Sequence, residues 1–328
     1  MPECKAGAAA LQLARHNEAA TFPLANRRLR DPRMPVQVRS FHHHDTGTWS
    51  HVLVDPGSRA AAIVDPVLDF DPASGRIETD SAQRLLEYVR TTGLKVDWIL
   101  ETHAHADHLT AAAWLKRALV DGSAAPAVGI GHGILDVQET FCRKFNLGHS
   151  FVADGRQFDS LFHDGDTIAL GALEVRVLAT PGHTPDGVTY VVADAAFVGD
   201  TLFAPHAGSA RCDFPGADAA TLYRSIRRLY SLPDETRMFL AHDYPEDGME
   251  ALAQTTVGEQ KTSNIHIRAD TGEADFVALR QRRDSTLAVP RLLWPALQVN
   301  IRGGHLPPAE SDGQCFLKIP LQREGFET

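Results

Sequence analysis

The run Thr102-His103-Ala104-His105-Ala106-Asp107-His108 constrains this 328-residue chain more than any other feature. Four potential metal ligands fall within six residues, between the apolar stretch Val96–Leu100 and the segment Leu109–Leu119. The first reads as a buried strand and the second as a helix, which puts the ligands at a strand-to-helix junction. A loop there can aim several side chains into one hollow. His103 and His105, two apart, share a side while the backbone stays extended. Asp107 and His108 belong to the start of the helix. Imidazole nitrogen and carboxylate oxygen suit zinc, iron or manganese. A lone HxH would be an ordinary polar loop, whereas the full HxHxDH after a strand is a specific signal.

Three further runs complete a ligand set. Thr180-Pro181-Gly182-His183-Thr184 places a histidine on a tight turn after a strand. Val198-Gly199-Asp200-Thr201 puts an aspartate just past another strand, with glycine allowing close backbone approach. Ala241-His242-Asp243-Tyr244 supplies a last histidine. Each run alone reads as a turn; in this order, behind HxHxDH, they read as one site.

Composition narrows the remaining classes. The 32 Lys and Arg against 42 Asp and Glu leave a formal charge of −10, which repels a phosphate backbone and disfavours nucleic acid as a partner. No apolar stretch approaches the roughly 18 residues of a membrane span. Cys4, Cys142, Cys212 and Cys315 form no CxxC pair, so neither a disulfide framework nor a zinc ribbon follows. A cytoplasmic protein with reduced thiols is the expectation. Nothing in the sequence fixes the oligomeric state, and a homodimer is compatible with it.

Residues 1–34 read as a poorly ordered N-terminal arm, residues 35–250 as the main domain, and 251–328 as a C-terminal extension packing on it. Within the main domain, Val52–Val54 and Ala61–Val64 flank the turn Asp55-Pro56-Gly57 and predict a β-hairpin. Leu85, Leu86 and Val89 give Ser81–Thr92 a helical period that stops at Gly93. Leu173–Leu178, Val188–Val192, Phe197-Val198 and Met238–Ala241 read as strands, and Ala219–Tyr230 as a helix. Strands and helices alternate, which favours a layered α/β fold. Residues 254–283 read as a polar helical stretch.

These motifs resemble the metallo-β-lactamase superfamily over about Val36 to Tyr244. The resemblance implies a four-layer αββα sandwich with the site at one edge of the paired sheets. It also implies one metal position on His103, His105 and His183 and another on Asp107, His108 and His242, with Asp200 between them. The words around the motifs, Ile63-Val64-Asp65-Pro66 and Ala210-Arg211-Cys212-Asp213-Phe214 among them, look like persulfide dioxygenases. That branch implies one Fe(II) per chain on His103, His183 and Asp200, and oxidation of glutathione persulfide by O2 to sulfite and glutathione. His105, Asp107, His108 and His242 would then form a second shell or a second site. The alternative is a glyoxalase II type hydrolase cleaving a glutathione thioester with a zinc or mixed dinuclear centre. The same seven residues serve both. Arg211 has two readings, a grip on a glutathione carboxylate or a salt bridge to Asp213. Cys212 reads as a packing residue, and His42-His43-His44 as a polar strand end.

Overall fold

The computed structural model describes residues 36–120, 124–245 and 249–321. The predicted N-terminal arm lies outside the described residues. The first half of the chain contributes strands β1 (Gln37–His43), β2 (Thr48–Val54), β3 (Ala60–Val64), β4 (Val67–Asp71), β5 (Arg76–Glu78), β6 (Lys95–Leu100), β7 (Leu109–Thr110), β8 (Ala127–Gly131) and β9 (Ser160–Phe162). The second half contributes β10 (Thr167–Leu170), β11 (Leu173–Ala179), β12 (Val188–Val192), β13 (Ala195–Phe197), β14 (Arg237–Phe239) and β15 (Gln254–Thr256). Helices are α1 (Asp80–Thr92), α2 (Ala112–Ala118), α3 (Ile134–Lys144), α4 (Ala219–Leu229), α5 (Val257–Ser263), α6 (Glu273–Asp284) and α7 (Leu293–Asn300).

Strand periodicity generates the layers. Successive residues of β2 and β3 point to opposite faces. Leu53, Ala62 and Val64 therefore meet Val175, Val177, Tyr190 and Phe197 of a second sheet, while Val52 and Ile63 turn outward to meet helices. The first sheet runs β1-β2-β3-β6-β8-β9, antiparallel through β3 and parallel from β3 to β9. The second runs β10 to β15 in chain order and is antiparallel except for the β13–β14 pair. Helices α1, α2, α3 and α7 cover the outer face of the first sheet through Leu85, Leu115, Phe141 and Leu297. Helices α4, α5 and α6 cover the second through Leu222, Ile226, Val257 and Phe276. The result is the four-layer αββα arrangement, with the C-terminal helices distributed over both outer layers. Among the described residues, no helix is long and apolar enough to cross a membrane.

The hairpin and α1 follow the sequence pattern, down to Gly93 in the left-handed region at the end of α1 (φ 63°). Two expectations need correction. The segment expected to be helical from Leu109 starts its helix only at Ala112, because Leu109 and Thr110 pair with Val67 and Leu68 of β4. The polar stretch 254–283 is not one helix. Its first residues form edge strand β15; α5 starts at its cap Thr256, whose hydroxyl accepts from Glu259 N, and ends where Asn264 turns extended.

Candidate metal centre

The centre lies where β3 and β6 end side by side, the edge at which parallel strands of α/β folds present their loops. Asp65, at the end of β3, is buried, and its carboxylate accepts from Thr102 N at 2.7 Å and Thr102 Oγ1 at 2.9 Å. Asp186 accepts from Ala104 N at 2.7 Å. Ala104 and Ala106 are buried, so small side chains let the loop turn tightly between its histidines. Asn300, the last residue of α7, closes the loop from above. Its Nδ2 donates to His105 O and His108 O at 2.7 and 2.8 Å, and its Oδ1 accepts from Thr110 N at 2.8 Å.

Two glycines bring the other ligands in. Gly199 (φ 52°) packs against Thr102 and delivers Asp200. Gly182 (φ 133°) packs on the first turn of α4, where an added Cβ would sit 2.3 Å from Leu222 N. Gly182→Ala is therefore expected to destabilise the fold by about 1–3 kcal/mol and to shift His183. Urea denaturation with and without metal checks this; a variant with a wild-type midpoint and wild-type metal affinity would show that the turn tolerates a side chain.

All seven predicted ligands converge. His103, His183 and Asp200 form one group, and His105, Asp107, His108 and His242 form another. Asp200 faces both. Its Oδ2 lies 3.7 Å from His103 Nε2 and 3.6 Å from His183 Nε2, while its Oδ1 lies 3.3 Å from His242 Nε2. His105 leaves the superfamily partition, which placed it with His103 and His183, and joins Asp107, His108 and His242, the grouping implied by the persulfide dioxygenase resemblance. Its Nε2 turns 3.2 Å from Asp65 Oδ1, which leaves Nδ1 as the inward nitrogen, 3.9 Å from Asp107 Oδ1.

Hydrogen-bond partners fix the tautomers. His183 Nδ1 donates to the carbonyl of Arg211 at 2.7 Å, leaving Nε2 toward Asp200. Thr102 already donates to Asp65, so at 3.1 Å its hydroxyl accepts from His103 Nδ1. Burial holds His103 and His105 well below the ordinary imidazole range and brings His183 down to about 4. Neutral imidazole is the metal-binding form. Burial first, then the Asp107 and Asp65 carboxylates, pushes Asp200 up to about 7 against the pull of His242.

The donor atoms fit metal ions. His103 Nε2, His105 Nδ1, Asp107 Oδ2, His108 Nε2, Asp200 Oδ1 and His242 Nε2 are buried without any hydrogen-bond partner. Buried polar atoms are ordinarily paired. Here the orphans come from both groups and point at one another, and they are the nitrogen and oxygen donors that zinc, iron or manganese takes.

Arg211 is engaged elsewhere by its side chain. Nε and Nη2 each donate to Asp213 at 2.6 Å, Nη1 donates to Ala288 O at 2.7 Å, and the guanidinium lies over Phe214. Its observed link to the centre is its carbonyl on His183. Burial pushes the Cys212 thiol up to about 12, which keeps it protonated, while its backbone N–H donates to Asp284. His42 packs against Trp49 and His44 at the end of β1, outside both ligand groups. The supports Asp65, Asp186 and Asn300 were not legible as site residues in the sequence.

The chain matches the sequence profile of the metallo-β-lactamase superfamily over residues 45–242. A probable metallo-hydrolase of Burkholderia pseudomallei is 50% identical over 296 residues, 87% of this chain and 99% of its own. Glyoxylase B2 of Dictyostelium discoideum is 42% identical over 87% of this chain and 97% of its own. The mitochondrial persulfide dioxygenase ETHE1 of Bos taurus is 31% identical over 84% and 92%. The crystal structure of ETHE1 from Myxococcus xanthus superposes with a TM-score of 0.65 at 28% identity, covering 82% of this chain and all of that one. With the ligand geometry and these matches together, the chain belongs to the metallo-β-lactamase superfamily.

Proposed function

We propose that the protein is a dinuclear metal-dependent hydrolase that cleaves a thioester of the glutathione type. The observation that carries this reading is Asp200, which offers one carboxylate oxygen to each ligand group while both groups hold orphaned buried donors. One group would hold the first ion through His103, His183 and Asp200. The other would hold the second through His105, Asp107, His108, His242 and the second oxygen of Asp200. Two metal ions, once bound, would supply a low-pKa water and a Lewis acid for the scissile carbonyl. The chain's part is to keep the imidazoles neutral, fix their tautomers and hold Asp200 between the two positions. The relative at 50% identity, a probable metallo-hydrolase, supports a hydrolase.

A second reading has its own observation. His103, His183 and Asp200 stand as a separate two-histidine, one-carboxylate group, the set that leaves open positions on a single iron. With the persulfide dioxygenase relative, it favours Fe(II)-dependent oxidation of glutathione persulfide by O2.

One comparison separates them. Protein prepared without oxygen and loaded with zinc or iron is expected to release thiol from a glutathione thioester. Oxygen uptake with glutathione persulfide at one iron per chain, without thioester cleavage, would replace the hydrolase reading by the dioxygenase one.

A further inference from the structure

Outside the ligand set, a line of side chains leads from the second ligand group to the molecular surface. The Thr48 hydroxyl lies 3.4 Å from His108 Nδ1 and 3.3 Å from His242 Nδ1. The other neighbour of His108 Nδ1, Asp107 Oδ1, is farther at 3.6 Å. Thr48 is fully buried and its backbone is tied to the strand that carries His242. It forms an antiparallel bridge with His242, while Trp49 N donates to Ala241 O at 2.7 Å and Asp243 N to Gly47 O at 3.0 Å. From Thr48 the line continues to Thr46 Oγ1 at 2.7 Å, and from there to His43 Nδ1 at 2.7 Å. His43 Nε2 lies 3.2 Å from Asp69 Oδ1, and Asp69 also accepts from Ser81 N and Ser81 Oγ.

Donor counting gives this line a direction. Asp69 ends it as an acceptor, because burial is outweighed by the bonds from His43 and Ser81 and the carboxyl falls to about 2. His43 therefore carries its hydrogen on Nε2 and accepts on Nδ1. The Thr46 hydroxyl hydrogen goes to His43, so Thr46 accepts from Thr48. The Thr48 hydrogen is then used, and its oxygen keeps two acceptor positions. Two N–H groups face it, one each from His108 and His242. The count closes with none left over, and it leaves Nε2 of both rings as bare lone pairs among the orphaned atoms.

We propose that His43, Thr46 and Thr48, terminated by Asp69, are a positioning relay that locks His108 and His242 in the Nδ1–H tautomer and so sets the affinity of the second metal position. The proposal rests on the two-metal reading. It is selective, because the first group is oriented by other partners: the Arg211 carbonyl for His183 and Thr102 for His103. Removing the relay should weaken one metal position and spare the other. A general loosening of the fold would weaken both.

The test is calorimetric titration of Zn(II) alone into the metal-free full chain. The wild type is expected to take two equivalents. Thr48→Val keeps the shape and removes the hydroxyl; it should bind the first equivalent as before and the second about 10–100-fold more weakly. Thr48→Ser should restore the second equivalent to within a few-fold of wild type. His43→Phe, which breaks the line outside the core, should weaken the second equivalent selectively and by a smaller factor. It decides the question by the same criteria if Thr48→Val does not fold. The relay is overturned if the altered proteins bind both equivalents like wild type, or lose both alike. A wild type that takes one equivalent overturns the two-metal reading itself, and with it the relay's object.

Discussion

In the absence of metal, Asp200→Asn is expected to be more stable than wild type at pH 8, and this order should reverse when metal is added. Asp200 stands at about 7 in the folded chain, raised by burial and by two neighbouring carboxylates. An unfolded aspartate titrates near 3.9. Between these values the folded state holds a proton that the unfolded chain has released, so this group's contribution to stability falls as pH rises. Above about 7 the buried carboxylate is ionised and its cost is complete. Asparagine cannot ionise. The gap between variant and wild type should therefore open above about pH 4, grow to about pH 7 and stay level beyond, at up to roughly 4 kcal/mol. Buried His103, His105 and His183 bias stability the other way in acid, but they are common to both proteins and cancel in the difference.

Metal inverts the comparison, because a ligand that binds only the folded state stabilises it by mass action. The ionised carboxylate is the form that metal takes, so wild type gains stability and Asp200→Asn does not. Residues one step behind a metal ligand cost about 10–100-fold in affinity or activity when changed. Loss of the carboxylate between both positions should cost at least about 100-fold in turnover. Urea midpoints at pH 5, 6, 7 and 8, with chelator and then with zinc, check both halves. A stability difference that does not vary with pH would contradict the assignment of Asp200 as a buried, strained acid.

The second large effect is expected at Asn300, far from the ligands in sequence and seated on their loop in space. Asn300→Ala removes three buried hydrogen bonds and leaves His105 O, His108 O and Thr110 N without that partner. Each such loss costs about 1–1.5 kcal/mol, more where the abandoned group stays dry, which predicts about 3–5 kcal/mol in total. Asn300→Asp is the sharper variant. It keeps the acceptor for Thr110 but sets a carboxylate oxygen against two carbonyl oxygens, so it should be at least as harmful as alanine. The readouts are the urea midpoint at constant slope and zinc affinity by chelator competition. If Asn300→Asp matches wild type in both, the side chain fills space and does not hold the loop.

The ligands were readable in the sequence and their supports were not, and the difference is physical. His103 to His108 form one local run behind a strand, and His183, Asp200 and His242 each follow a strand by three or four residues, so local signals place them. Asp65 reads locally as half of an Asp-Pro turn. It becomes a pin for Thr102 and His105 only because β3 and β6 lie parallel and end together. Thr48 and Asn300 meet the centre through contacts that span 60 to 195 residues of sequence. No period or motif announces such residues. The same holds for elements that lack a clear pattern. Strand β8 (AVGIG) carries two glycines and gives no alternation, yet it pairs on both sides, between β6 and the edge strand β9 of the first sheet. Glycine is required there, because a Cβ on Gly129 would lie 2.3 Å from the Phe162 ring. The layered fold was legible because it follows from alternation alone. Of the two ligand partitions read from the sequence, the structure matches the one that sets His105 with Asp107, His108 and His242; the Asp65 contact that turns His105 is what the sequence does not reveal.

The most direct measurement is anomalous diffraction at the zinc edge from crystals of zinc-loaded protein. Two peaks of similar height are expected on either side of Asp200, one against His103 and His183, the other against His105, Asp107, His108 and His242. A single peak on His103, His183 and Asp200, with Asp107, His108 and His242 bonded only to one another, would contradict the two-metal reading.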